Sequence, residues 1–163
     1  MNKILDIKTL KSRLENLKKT GKKVVFTNGC FDIIHAGHAD YLEKARELGD
    51  CLVIGLNSDN SIQRIKGEKR PIVKEEYRLK LMSSLGCVDF VTVFDEETPE
   101  ELIRAIKPDI LVKGDDWAGK DVAGAKFVKE NGGRVEFIKL LPNISTTQII
   151  ERILDLYDDG KNR

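Results

Sequence analysis

The chain has few cysteines, few histidines and almost no net charge. Its three cysteines, Cys30, Cys51 and Cys87, are odd in number and form no C-x-x-C pair, which argues against a disulfide framework or a zinc ribbon. The 28 basic and 27 acidic side chains nearly cancel to a formal +1, so no global field draws in nucleic acid or an anionic membrane. Any anion site has to be built locally. No apolar run approaches the roughly 18 residues of a membrane helix. The first residues, MNKILDIKTLKSRLENLKK, mix charge with apolar positions at helical spacing and carry no export signal. These absences point to a cytoplasmic protein that binds neither nucleic acid nor membrane. With 40% hydrophobic residues among 163, one domain can bury its own core.

What is present is alternation. An amphipathic helix near Ile7 to Lys19 is followed by short β-branched runs at Lys22 to Thr27, Cys51 to Leu56, Val88 to Phe94, Asp109 to Lys113 and Arg134 to Leu140. Such near-continuous apolar runs suit strands buried on both faces. Helical patterns begin near Gly37, Lys74, Thr98, Asp121 and Ser145. The reading is α/β: a single-domain, Rossmann-like, doubly wound parallel sheet of five strands with helices on both faces. Residues 1–21 are assigned to the leading helix, 22–157 to the domain and 158–163 to a polar tail that frays. Thr98-Pro99-Glu100-Glu101 predicts a capping box, with Thr98 as N-cap and Pro99 at the first helical position. Ligands of such sheets bind at the carboxyl ends of strands, where strand order reverses.

The segment after the first strand reads TNGCFDIIHAGH and holds both histidines of the chain. Gly29 permits a close backbone approach by a phosphate or base. His35 and His38 stand at i and i+3 on one face of a first helical turn, and Gly37 between them leaves that face open. An anion there meets unpaired N–H groups, the positive end of a helix dipole and two imidazole donors. Cys30, Asp32, His35 and His38 could also be read as metal ligands, but a structural zinc site needs a second ligand pair that the sequence does not supply.

TNGCFDIIHAGH resembles the HxGH motif of the cytidylyltransferase-like nucleotidyltransferases. NSDNS, KGEKRP, EEYR, LVKG, VAGAK, NGGRV and STTQII follow in the order and spacing of D-glycero-β-D-manno-heptose 1-phosphate adenylyltransferases, over residues 3–155. The resemblance implies transfer of AMP from ATP to a sugar 1-phosphate, with Mg²⁺ carried on the nucleotide. It also implies a homodimer, and a heptose kinase as a separate upstream partner where it is not fused. His35, His38 and Lys66 are then the catalytic residues. Asn28, Gly29, Cys30, Phe31, Gly37, Lys113, Gly114, Asp116, Ile144, Ser145, Thr146 and Thr147 bind the nucleotide. Asp32, Arg70 and Arg78 bind the acceptor.

Ser145 with Gln148 also reads as a capping box. The cationic stretch Arg64 to Pro71 reads as a flexible loop with Gly67 as hinge, closing over substrate. Asp115 and Trp117 depart from the Gly and Tyr of the heptose branch, and GDDWAGK is similar to glycerol-3-phosphate cytidylyltransferases. That family has an Arg shortly before its ISTT segment, where this chain has Leu140 to Asn143. Trp117 is left open between packing and function. The alternatives are a CTP-dependent glycerol-3-phosphate cytidylyltransferase and a non-catalytic nucleotide-binding module.

Overall fold

The structure is a computed structural model and describes residues 2–157; the tail assigned to 158–163 lies outside the described residues. The elements run α1 (Ile7–Lys19), β1 (Val24–Gly29), α2 (Ala36–Glu47), β2 (Cys51–Asn57), α3 (Asp59–Lys66), α4 (Glu75–Ser84), β3 (Phe90–Phe94), α5 (Glu100–Ile106), β4 (Ile110–Gly114), α6 (Ala125–Glu130), β5 (Arg134–Ile138) and α7 (Thr146–Tyr157). The strands form one parallel sheet in the order β3-β2-β1-β4-β5. The chain builds outward from β1 to β3, then returns to the other side of β1 for β4 and β5. Strand order therefore reverses between β1 and β4.

The two-residue period of the strands sorts the core into two layers. Val24 and Phe26 face the layer of Leu10 and Leu14 from α1, Leu102, Ile103 and Ile106 from α5, and Val128 from α6. Val25, Leu52, Ile54, Ile110 and Val112 face the layer of Tyr41, Leu42 and Ala45 from α2 and Met82 from α4. β2 and β4 are buried along their whole length, as their unbroken apolar runs require. On the β3 edge the segment before α1 adds a partner: Val91 N–H donates to the Lys3 carbonyl at 2.8 Å and Leu5 N–H to the Val91 carbonyl at 3.0 Å. That covers edge groups which would otherwise template aggregation.

Several local expectations need correction. The stretch read as a flexible loop from Arg64 to Pro71 begins inside α3, which is capped by Ser58, whose Oγ accepts from Ser61 N–H at 2.9 Å. The capping box at Thr98 does not form. Pro99 takes the N-cap position of α5 with ψ of 16°, outside the helical range, so the helix starts one residue later than the motif requires, and no side chain caps it. α6 begins at Ala125, not near Asp121, because Gly124 at φ 79° makes a left-handed turn first. β5 ends at Ile138, two residues before the expected Leu140.

Candidate active site

The turn from β1 into α2 is strained. Phe31 and Ile33 sit at φ 45° and 54°, left-handed values that cost a non-glycine residue about 1–3 kcal/mol each, the β-branched Ile33 most. Asp32, buried between them, holds the turn. Its carboxylate accepts from Arg70 Nε (2.8 Å), Ile72 N–H (2.9 Å) and Val73 N–H (2.8 Å). Its carbonyl accepts from Thr146 Oγ1 at 2.6 Å. Burial pushes the Asp32 carboxyl up, but the Ile72, Val73 and Arg70 hydrogen bonds outweigh it and leave the group below the ordinary carboxylate range. Asp32, expected at the acceptor, thus has its carboxylate committed to the segment before α4 and its carbonyl to the start of α7.

His35 is the N-cap of α2, in extended conformation. Its ring stacks on His38 with centroids 3.8 Å apart and 22° between planes, and Phe31 packs 5.3 Å from His38. Gly37 is what lets the pair stack. A Cβ there would lie 3.1 Å from the His35 ring and 3.2 Å from Ile144 Cγ2, tighter than ordinary contact allows. Both Nδ1 atoms are buried without a hydrogen-bond partner, at a cost of about 1–3 kcal/mol apiece. Burial pulls His38 down to about 4, with His35 adding to the shift and Asp32 opposing it. Burial lowers His35 as well. At neutral pH both rings are uncharged, so each offers a single N–H donor rather than a cation.

The pair opens into a cavity of ≈ 920 Å³ at the carboxyl ends of β1 and β4, the switch point of the sheet. Lys113, 8% exposed, bridges the two strands by donating to the Asn28 side-chain carbonyl. Burial pulls its ammonium down to about 8, opposed by Asp116. A Cβ on Gly114 beside it would meet Asp116 Oδ1 at 2.5 Å and Leu140 Cδ1 at 2.9 Å, so those side chains would have to shift to admit one. The N-terminus of α7 reaches the same cavity. Ser145 Oγ accepts from Gln148 N–H at 3.2 Å, the N-cap half of the expected box, and Ile144 to Thr147 line the wall. The positive ends of α2 and α7 therefore converge on one space, an arrangement that favours a polyanion.

Gly29, Cys30, Phe31, Asp116, Lys66 and Arg70 also line the cavity. Lys66 is the last residue of α3, exposed at the rim beside Gly67 at φ 91°. Arg78 does not reach it. It is fully buried, donating to the carbonyls of Cys30 (2.8 Å), Asn57 (2.8 Å) and Val73 (2.9 Å) and to Asp59 Oδ1 (2.7 Å). The guanidinium expected on the acceptor's phosphate is instead spent on pinning the ends of β1 and β2. Burial pushes the Cys30 thiol up, away from nucleophilic thiolate chemistry. Residues not expected from the sequence also line the wall, among them Tyr41, Asn57, Glu97 and Leu140. Tyr41 had a faint signal, falling on the same helix face as His38, and its hydroxyl lies 2.7 Å from Thr27 Oγ1.

A parallel sheet with a neutral histidine pair, a buried lysine and two helix N-termini at its switch point is an α/β fold of the doubly wound class with a cavity suited to a polyanion. The chain belongs to the cytidylyltransferase-like family, whose model matches residues 26–152. It is 55% identical over 93% of its length to the bifunctional protein HldE of Syntrophotalea carbinolica, covering 31% of that protein. It is 54% identical over 96% of its length to the HldE of Helicobacter pylori J99, covering 32%. The chain thus spans about a third of the length of these relatives. Among solved structures it is similar to a lipopolysaccharide core biosynthesis protein from Thermoplasma volcanium GSS1, with 33% identity and a TM-score of 0.61 over 74% of this chain and 98% of that one. The pantoate-β-alanine ligase of Francisella tularensis, at 15% identity and a TM-score of 0.58 over 98% of this chain and 81% of that one, shares the fold. Among the described residues no helix is long and apolar enough to cross a membrane.

Proposed function

We propose that the chain transfers AMP from ATP to D-glycero-β-D-manno-heptose 1-phosphate, giving ADP-heptose for lipopolysaccharide core synthesis and releasing pyrophosphate. The observation that carries the reading is the stacked, uncharged His35–His38 pair at the start of α2, facing the same cavity as the start of α7. A phosphate oxygen of the acceptor attacks the α-phosphorus of ATP in line, forming the new P–O bond. The bond from the α-phosphorus to the bridging oxygen breaks, and pyrophosphate leaves with the electron pair. The acceptor oxygen is already ionised at neutral pH, so the step needs no general base. Catalysis is positioning and charge stabilisation.

In this scheme His35 and His38 donate to the α-phosphate oxygens as negative charge accumulates. Ser145, Thr147 and the free N–H groups of α7 hold the departing pyrophosphate. Lys66 and the unpaired guanidinium nitrogens of Arg70 meet phosphate charge at the rim. Mg²⁺ arrives on the triphosphate as part of the substrate and neutralises it. Among the described residues no three His, Cys, Asp or Glu side chains group to hold a metal of their own. The partners are two small molecules, a second copy of the chain and an upstream sugar kinase, in a cytoplasmic setting.

The test is pyrophosphate release from ATP and from CTP, each with heptose 1-phosphate and with glycerol 3-phosphate. Turnover is expected with ATP and heptose 1-phosphate. Preference for CTP with glycerol 3-phosphate would replace this reading with the cytidylyltransferase that GDDWAGK suggests. Nucleotide binding without release under any pairing would leave a non-catalytic module.

A further inference from the structure

The histidine pair can act only where α2 puts it, and little at the first turn of that helix fixes its place. The turn leading in carries the strained Phe31 and Ile33, His35 caps the helix with no side-chain hydrogen bond, and Gly37 has no side chain to anchor. The far end is gripped by Arg46, whose Nε lies 3.0 Å from Asp89 Oδ2. In between, Leu42 and Ala45 are buried against the sheet. Apolar burial is non-directional, so it holds the helix down without setting its register along β1. One directional contact does that. Tyr41, buried one turn after His38, shares a 2.7 Å hydrogen bond with Thr27 Oγ1. Among the described residues it is the one side-chain hydrogen bond from α2 to a strand. Thr27 is a fixed reference, fully buried on β1, which lies between β2 and β4 in the middle of the sheet. Burial pushes the Tyr41 hydroxyl up, so it keeps its proton and the bond persists at neutral pH.

We propose that Tyr41 is a positioning residue, whose hydroxyl bond to Thr27 sets the height and rotation of the His35–His38 pair over the end of β1. The role rests on the nucleotidyl-transfer reading of the site and adds what holds its two donors in place. His38 and Tyr41 stand at i and i+3 on one face of α2, so fixing one fixes the other. A misplacement of about 1 Å in a catalytic group costs on the order of 100-fold in rate. Loss of the bond frees α2 to slide on its apolar face by a fraction of that distance. The two partners differ in one useful respect. Tyr41 lines the cavity, whereas Thr27 is fully buried beneath it and touches no ligand. A role in positioning belongs to both residues equally, and a role in binding belongs to Tyr41 alone.

The test removes the bond from each side while keeping the packing, in Tyr41→Phe, Thr27→Val and the two together, with Thr27→Ser as the variant that retains it. Steady-state kinetics of the full chain with ATP and heptose 1-phosphate are read beside proton magnetic resonance of the histidine rings. The chain has only two histidines, and each ring lies in the other's ring current. Each single variant is expected to lower kcat by about 10-fold, with KM for ATP held within about twofold. The double variant is expected to lose no more than either single one, as one shared interaction requires. Thr27→Ser is expected to keep most of kcat. Without substrate, the His38 ring signals are expected to shift in the same direction in Tyr41→Phe and Thr27→Val. Unchanged kcat in both, or unmoved His38 signals, overturns the role. A loss confined to Tyr41→Phe also overturns it, as do additive losses in the double variant, because Tyr41 then acts on the ligand directly. Absence of turnover in the unmodified protein overturns the nucleotidyl-transfer reading instead, and the ring signals then decide the positioning by themselves.

Discussion

Acidification tests the histidine pair without any substrate. His38 titrates in the folded protein at about 4, against an ordinary 6.5. Between those values the unfolded chain takes up a proton that the folded chain refuses. Stability then falls as the pH drops from about 6.5 toward 4, by up to 1.36 kcal/mol for each unit. Above 6.5 both states are neutral at this position and the contribution is flat. The ring is only partly shielded, so solvent screening trims the full span to about 2–3 kcal/mol. The assay is urea unfolding at pH 7.5, 6.5, 5.5 and 4.5 for the unmodified protein and for His38→Gln. Carboxylates such as Asp32 titrate in both proteins and cancel in the difference. The unmodified protein is expected to lose about 2 kcal/mol more than the variant over this range. Parallel pH dependences in the two proteins would refute the argument that burial beside His35 excludes the proton. Added tripolyphosphate should shrink the difference, because an anion against the rings favours their protonated form.

Other outcomes follow from the same geometry. His35→Ala is expected to lower kcat by roughly 10² to 10³ while the thermal midpoint barely moves, since its donor matters to charge that develops in the transition state; kcat measured with circular dichroism checks it. Gly37→Ala places a methyl 3.1 Å from the His35 ring and should cut kcat/KM by at least about tenfold through displacement of the pair. Arg78→Met leaves three carbonyls and the Asp59 carboxylate without their donor, a loss of about 3–5 kcal/mol. Chemical denaturation should find it among the most destabilising single substitutions in the protein. Acceptor affinity lost without that destabilisation would restore Arg78 to the acceptor-binding role first expected of it.

The legible part of the molecule was whatever repeats or is chemically singular. Unbroken runs such as CLVIGL and DILVK mark strands covered on both faces. The two histidines around one glycine mark a helix start at the ligand-binding edge. α1 was visible as Ile7 to Lys19 because Leu10 and Leu14 fall on one helical stripe. α3 was overlooked although Ser58, Asp59 and the Ile62–Ile65 spacing carried a start signal, because its eight residues lie inside a stretch rich in charge. Thr98 looked like a cap and is not one, since the backbone of Pro99 turned the chain a residue later than the motif required.

Sequence alone determined the elements of the sheet and pointed to a candidate anion site after β1. Those depend on near-neighbour patterning along one segment. Tertiary structure decided which polar side chains face the cavity and which are consumed inside the protein. The family resemblance put both Arg78 and Lys113 at the ligand as cations. Packing sends one wholly into the carbonyls beneath the site and stands the other in the cavity wall between β1 and β4. It likewise commits Asp32 to residues about forty positions away and leaves His35 and His38 neutral. Burial and long-range hydrogen bonding set these roles, and both depend on residues that only the folded chain brings together.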